Sequence, residues 1–213
     1  MKTVRIIFSK TGRAKYVSHL DLMRTMTRAM RRAAIPLWYT EGFHRHPYLT
    51  FAAPLSLGYE GLRESMDIRL VEDMDYSVLL AHLNRALPEG IRAVAAAEAV
   101  AKVKDLTAAL YRITVHCSSD MVCDVLRLPE ILVEKRTKKK TMKTMDIRPY
   151  FSDAIVESIG EDCCTMTVTL PCGSAENINP GLFLTALEGK YGVSVSADIL
   201  RLRVLQADGS EFL

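Results

Sequence analysis

The sequence predicts an α+β fold of two tandem units with the same element order, β-α-β-β-α-β, the second interrupted by an inserted basic β-ribbon. Three observations predict it. Strand-like runs bracket amphipathic helical stretches twice along the chain. The length of 213 residues suits one large domain or two small ones. A lysine cluster, Lys138 to Lys140, lies between two further strand-like runs.

Taken in order, Val4 to Ser9 is rich in β-branched and aromatic residues and reads as a strand. Lys10 to Lys15 is a basic turn hinged at Gly12. Ser18 is placed to cap a helix, and Asp21 three residues on resembles a capping box and complements the helix dipole. At 100° per residue, Leu22, Met23, Met26, Ala29, Met30, Ala33 and Ala34 share one face, while Arg24, Arg28, Arg31 and Arg32 share the other. Pro36 stops the helix. The connection from Pro36 to Pro47 carries Trp38, Tyr39 and Phe43; Trp38 and Phe43 are expected to be at least half buried. Leu49 to Ala53 and Glu64 to Val71 are strands, Tyr76 to Leu87 is a second amphipathic helix, and Ile91 to Val100 completes the first unit.

The order then recurs. Ala109 to His116 is a strand and Asp120 to Leu126 a short helix. Glu130 to Thr137 and Thr141 to Ile147 form the arms of the ribbon. Ala154 to Ile159 and Thr165 to Leu170 make a hairpin. A helix opens at Asn179-Pro180, and Ile199 to Leu205 is the last strand. This is the split βαβ order of ferredoxin-like domains. It divides the chain into an N-terminal domain, residues 1–102, and a C-terminal domain, residues 105–213.

No apolar run is long enough to span a membrane and no signal peptide opens the chain, so a cytoplasmic location is expected. Five cysteines at irregular spacing, with no C-x-x-C pair, predict reduced, packed thiols rather than a disulfide framework or an iron–sulfur site. No cofactor or resident metal is expected. His44 and His46 at i, i+2, with His19, Asp21 or Glu41, are the residues a zinc ion would use, but H-x-H alone is a weak ligand pattern.

Charge is unevenly distributed. Residues 1–50 hold ten Lys and Arg against two Asp and Glu, whereas residues 51–213 carry a net charge of −5. Six cations of that second part lie between Lys135 and Lys143. Two basic concentrations on an otherwise acidic chain are the pattern of a polyanion-binding surface. The arginine row of the first helix adds to this, because Asp21 is its only acid and a solvated helix ordinarily mixes Glu with Lys.

Tyr16-Val-Ser-His-Leu-Asp-Leu-Met-Arg24, Arg28 to Ala33, and Tyr39-Thr-Glu-Gly-Phe-His-Arg-His-Pro-Tyr-Leu-Thr-Phe-Ala52 together resemble a bacterial family called radical-SAM-linked proteins. The resemblance continues through Pro54 to Gly58 and Glu64 to Asp67, and touches Lys138 to Pro149. Its members occur as separate chains or as the C-terminal part of a larger cobalamin-type radical SAM protein. His44 and Arg45 stand where the family pattern has Asn-Pro, which leaves His46 as the family's candidate. The resemblance implies no particular reaction; the family's association with ribosomal-protein and ribonuclease genes implies RNA metabolism. The tandem architecture is also distantly similar to CRISPR-repeat endoribonucleases.

Three functions follow as expectations. The first is an RNA-binding accessory module in RNA or ribosome metabolism, acting with a radical SAM protein. Its nucleic-acid-binding residues would be Lys10, Arg13, Lys15, Arg24, Arg28, Arg31, Arg32, Tyr39, Arg45, Lys135, Arg136, Lys138, Lys139, Lys140 and Lys143. The second is a metal-independent endoribonuclease with His46 and His19 as catalytic residues, since histidine can take or give a proton near neutrality. The third is a protein partner of a radical SAM enzyme without nucleic acid.

Overall fold

A computed structural model describes residues 2–136 and 142–213. The fold is α+β, with mostly antiparallel strands and few helices. The chain gathers into two units: residues 1–106 with 201–213, and residues 107–200.

The first unit begins with β1 (Lys2–Lys10), followed by a 3-10 turn at Gly12–Tyr16 and α1 (His19–Arg32). Then come β2 (Leu49–Phe51), β3 (Glu60–Leu70), α2 (Tyr76–Ala86) and β4 (Ile91–Glu98). Strand β1 lies between β4 and β3, antiparallel to both, and β2 pairs with β3 through Leu49↔Ile68 and Phe51↔Met66. Alternation sends Val4, Ile6 and Phe8 of β1 and Met66, Ile68 and Leu70 of β3 into one core. Helix α1 adds Leu22, Met26, Ala29 and Met30, and α2 adds Leu79 and Leu83. Full burial of a side chain the size of Met26 or Leu83 contributes about 1.5–3 kcal/mol. Asp75 caps α2, its Oδ1 accepting from the backbone N–H groups of Ser77 and Val78 at 2.8 and 3.1 Å.

Helix α1 ends before Pro36 acts on it. Ile35 N–H donates to the Met30 carbonyl and Ala34 N–H to that of Arg31, a Schellman arrangement that puts Ala34 at φ +52°. Glycine adopts that conformation without the Cβ penalty. Replacing exposed Ala34 with Gly is therefore expected to raise stability by about 0.5 kcal/mol, the left-handed strain relieved less the backbone entropy of glycine. Urea titration measures it.

Gly90 is held the opposite way. Its carbonyl accepts from Thr11 N–H at 2.8 Å, its φ is +82°, and an added Cβ would stand 2.6 Å from the Thr11 carbonyl oxygen. Gly90→Ala is expected to lower stability by at least about 1–3 kcal/mol, read from the shift of the denaturation midpoint.

Residues 201–213 join the first unit, although the element order assigns them to the second. The reason is a buried polar network. Arg5, 1% exposed, lies opposite Asp67 across the β1–β3 pair and binds both its carboxylate oxygens, at 2.7 and 2.9 Å. The same guanidinium donates to the carbonyls of Ala101 and Leu213 and lies 3.9 Å from the Phe212 ring. Arg201, 2% exposed, makes a two-bonded pair with buried Glu64 and donates to the Ala53 carbonyl at 2.6 Å. Gly61 accommodates the Glu64 side chain, which occupies the space of a Cβ.

In the second unit, β5 (Leu106–Val115) is followed by α3 (Ser119–Leu126), β6 (Leu132–Arg136) and β7 (Met142–Asp146). Then come β8 (Ile155–Gly160), β9 (Cys163–Pro171), α4 (Gly181–Tyr191) and the start of β10 (Ala197–Gln206), whose residues from Arg201 onward belong to the first unit. Strand β9 lies between β5 and β8, antiparallel to both. Ile113, Val115, Val122, Val125, Met166, Val168, Phe183 and Leu187 fill the core. Strands β6 and β7 form a separate antiparallel ribbon. Its base is tied by Asp146, whose Oδ1 accepts from Ile131 N–H and Arg148 N–H. Those two bonds hold its carboxyl below the usual carboxylate range. The five cysteines form no disulfide, and burial pushes the Cys164 thiol up to about 11.

Candidate nucleic-acid interface

Helix α1 presents the arginine row. Ser18 Oγ accepts from Asp21 N–H at 3.2 Å and donates to the Asp21 carboxylate at 2.7 Å, so Ser18 and Asp21 are capping residues. The Ser18 hydroxyl, and then Arg24, hold the Asp21 carboxyl below its usual range. Leu22, Met26, Ala29 and Met30 are buried, while Arg24, Arg28, Arg31 and Arg32 are all exposed. Met23 departs from the expected apolar face and stands at its exposed margin.

The four arginines differ in what they touch. Arg24 pairs with Asp21 at 3.2 Å. Arg31 donates to the Tyr39 hydroxyl at 3.1 Å and lies 5.6 Å from the centre of that ring. Arg32 donates to the Ala86 carbonyl, the last residue of α2. No hydrogen bond, ion pair or ring contact engages the Arg28 side chain among the described residues. Arg13 is exposed in the 3-10 turn, and the Lys15 ammonium lies 5.5 Å over the Tyr16 ring.

Lys10 does not belong to this surface. It is 1% exposed, and its Nζ donates to the Lys15 carbonyl at 3.1 Å. Burial pulls its ammonium below the usual lysine range; Glu64 opposes that shift and Arg201 adds to it. As the last residue of β1, it points inward at a break in register between Phe8 and Lys10.

Residues 38–48 form a narrow hairpin. Tyr48 N–H donates to the Trp38 carbonyl at 3.0 Å and Thr40 N–H to that of His46 at 2.9 Å. Trp38 N–H donates to the Arg69 carbonyl, and the Arg69 guanidinium lies 5.4 Å from the Trp38 ring and 4.2 Å from that of Tyr48. Gly42 turns the tip at φ +116°. Phe43 is fully exposed, at 104% of its reference area, whereas burial was expected; Trp38 is mostly buried. Glu41, His44 and Arg45 are exposed beside Phe43. Arg69 was not a candidate from the sequence, because an alternating strand offers no sign of which aromatics will flank it.

The two candidate catalytic histidines do separate things. His46 Nδ1 lies 3.2 Å from Thr40 Oγ1 and 3.1 Å from the His44 carbonyl oxygen, so the ring closes the hairpin turn. His19 packs edge to face on Phe51, with ring centres 5.1 Å apart. No hydrogen bond or ring contact joins the two. Among the described residues no group of three or more His, Cys, Asp or Glu is placed to hold a metal ion. Nor is any helix long and apolar enough to cross a membrane.

In the ribbon, the backbone register sets Lys135 opposite Lys143 and Arg136 opposite Met142. Lys143 is exposed. Lys138, Lys139 and Lys140 lie outside the described residues.

Fold and site thus define an α+β protein with an exposed arginine face on its first helix and an aromatic hairpin beside it. The chain belongs to the family described as uncharacterized protein conserved in bacteria (DUF2344), whose model matches residues 3–180. No match is found among curated proteins. Among solved structures, a chain in the crystal structure of a Cbf5-Nop10-Gar1 complex is similar, with a TM-score of 0.53 and 10% identity. The match covers 94% of this chain and 48% of that one, so this chain spans about half the length of its neighbour. At that identity the likeness concerns the fold alone.

Proposed function

We propose that this protein is an RNA-binding accessory module in RNA or ribosome metabolism. The observation that carries the reading is the exposed row Arg24, Arg28 and Arg31, with Asp21 as the only acid on its helix. Arginine forks are suited to phosphate oxygens, and a helix face gives them fixed spacing. Arg13 and Lys15 extend the surface, Arg45 and Tyr39 flank it, and the Lys135–Lys143 ribbon supplies a second grip. Each unit is, on this reading, a ferredoxin-like domain. Support comes from the strand sequence β4-β1-β3, with β2 on the far side of β3, and the sequence β5-β9-β8.

The test is a binding titration of the full chain against cellular RNA over a series of salt concentrations. The expected result is binding that weakens steeply with salt. Affinity that is absent, or indifferent to salt, would overturn the reading.

A second role, as a partner of a radical SAM enzyme, has its own support. Tyr16, Leu20 and Leu57 are exposed, at 68%, 54% and 63%, around the start of α1. Gly58 N–H bonds the Lys15 carbonyl and so brings the Leu57 loop beside the 3-10 turn. A radical SAM protein retained on the immobilised chain after nuclease treatment would support this role, and failure to retain one would remove it.

A further inference from the structure

From the 38–48 hairpin we infer a base-stacking finger: Phe43 inserts against an unpaired base of single-stranded RNA whose phosphates lie on the α1 arginines. This rests on the RNA-binding reading and names the form of RNA that the surface takes.

The hairpin is firm at its foot and apolar at its tip. Two cross-hairpin hydrogen bonds fix the strands, and on one side the Trp38 and Tyr48 rings pack against each other, 6.4 Å between centres, with the Arg69 guanidinium against both. Arg31 anchors the other through the Tyr39 hydroxyl and ring. His46 closes the turn on Thr40. These contacts use up Trp38, Tyr39 and Tyr48 as supports. Phe43 is left with both ring faces in water.

An isolated exposed leucine on a surface needs no explanation, but a phenylalanine projected whole from a braced turn buries nothing for the fold. The chemistry around it favours a nucleobase. Arg45 is two residues away, and His44 is adjacent and exposed. The Arg31–Tyr39 contact joins the foot of the hairpin to the arginine row. Glu41 is the only acid at the tip. Arg24 and Arg31 are separated by seven residues, roughly 10 Å along the helix, enough for a strand to be held at more than one phosphate before it reaches the hairpin. Stacking on a lone ring requires a base released from its duplex, which selects single strands.

The experiment uses a short single-stranded RNA with 2-aminopurine at its centre, and the same strand annealed to its complement. With the full chain, the single strand should bind more tightly and its fluorescence should be quenched on binding. Phe43→Ala should lose the quench and about 5- to 100-fold in affinity, with the salt dependence unchanged because no charge is removed. Phe43→Trp should restore both. The side chain is wholly exposed, so the variants keep the fold, which a thermal melt verifies. Salt-dependent binding that is indifferent to Phe43→Ala overturns the finger and leaves the arginine surface standing. A wild-type chain that binds neither RNA overturns both.

Discussion

Glu64→Gln is expected to lower stability by about 3–5 kcal/mol, because it leaves two buried cations with no countercharge. Arg201 and Lys10 are 2% and 1% exposed, and both have Glu64 as their carboxylate neighbour. A glutamine keeps the shape and one acceptor but not the charge. Lys10→Met should behave differently. Arg201 retains its two-bonded pair with Glu64, and the methylene stem keeps its packing, so the change should be small. The two variants also separate in pH. In the folded chain the Lys10 ammonium titrates below the ordinary lysine value of 10.5, chiefly because it is buried. Between the folded and unfolded pKa values the unfolded chain holds more protons, so stability rises with pH across that window. Lys10→Met abolishes this alkaline gain. Urea midpoints at neutral pH and in the alkaline window test both statements; a Glu64→Gln chain as stable as wild type would contradict the network.

Local patterns were legible in the sequence and long-range ones were not. The cap at Ser18 and Asp21 and the apolar period Leu22, Met26, Met30 depend on neighbours within two helical turns, and α1 forms where they predict. The same holds for α2 and for the two arms of the ribbon. The sequence places Lys10 in a basic turn on the nucleic-acid-binding surface, and no local pattern marks Arg5 or Arg201 as buried. Their burial depends on partners far away in sequence: Asp67 for Arg5, Glu64 for Arg201 and for Lys10. No window around Lys10 contains that acid. For the same reason residues 201–213 were assigned by element order to the second domain, whereas Phe212 beneath Arg5 and Arg201 on Glu64 hold them to the first. Phe43 departs in the opposite sense. An aromatic in a loop rich in Trp and Tyr suggests a core, but the Thr40–His46 hydrogen bonds and the Gly42 turn send it outward. At the candidate interface the arginine row was visible from spacing alone, while the packing of Arg69 against Trp38 and Tyr48 was not.

The triple substitution Arg24→Ala, Arg28→Ala, Arg31→Ala is expected to lower RNA affinity roughly 10- to 100-fold at low salt and to flatten the salt dependence by about two units of logarithmic slope. Single strands lose about 0.7 of slope for each neutralised phosphate contact, so three arginines give a sum near two. Folding should be little affected, since all three side chains are exposed and the apolar face of α1 is untouched. The single variants should not contribute equally. Among the described residues Arg28 has no partner to leave, so its guanidinium meets phosphate at no internal loss, and Arg28→Ala should weaken binding most. Arg24 must share its charge with Asp21, and Arg32 is committed to the Ala86 carbonyl. Arg32→Ala should therefore matter least for RNA and more for the packing of α1 against α2. Arg31→Ala carries a second effect, because it also releases Tyr39 at the foot of the hairpin. It should reduce 2-aminopurine quenching as well as the salt slope, whereas Arg28→Ala should change the slope alone. Equal losses from all four substitutions would mean that α1 acts only as diffuse charge, and an unchanged slope in the triple variant would place RNA elsewhere on the chain.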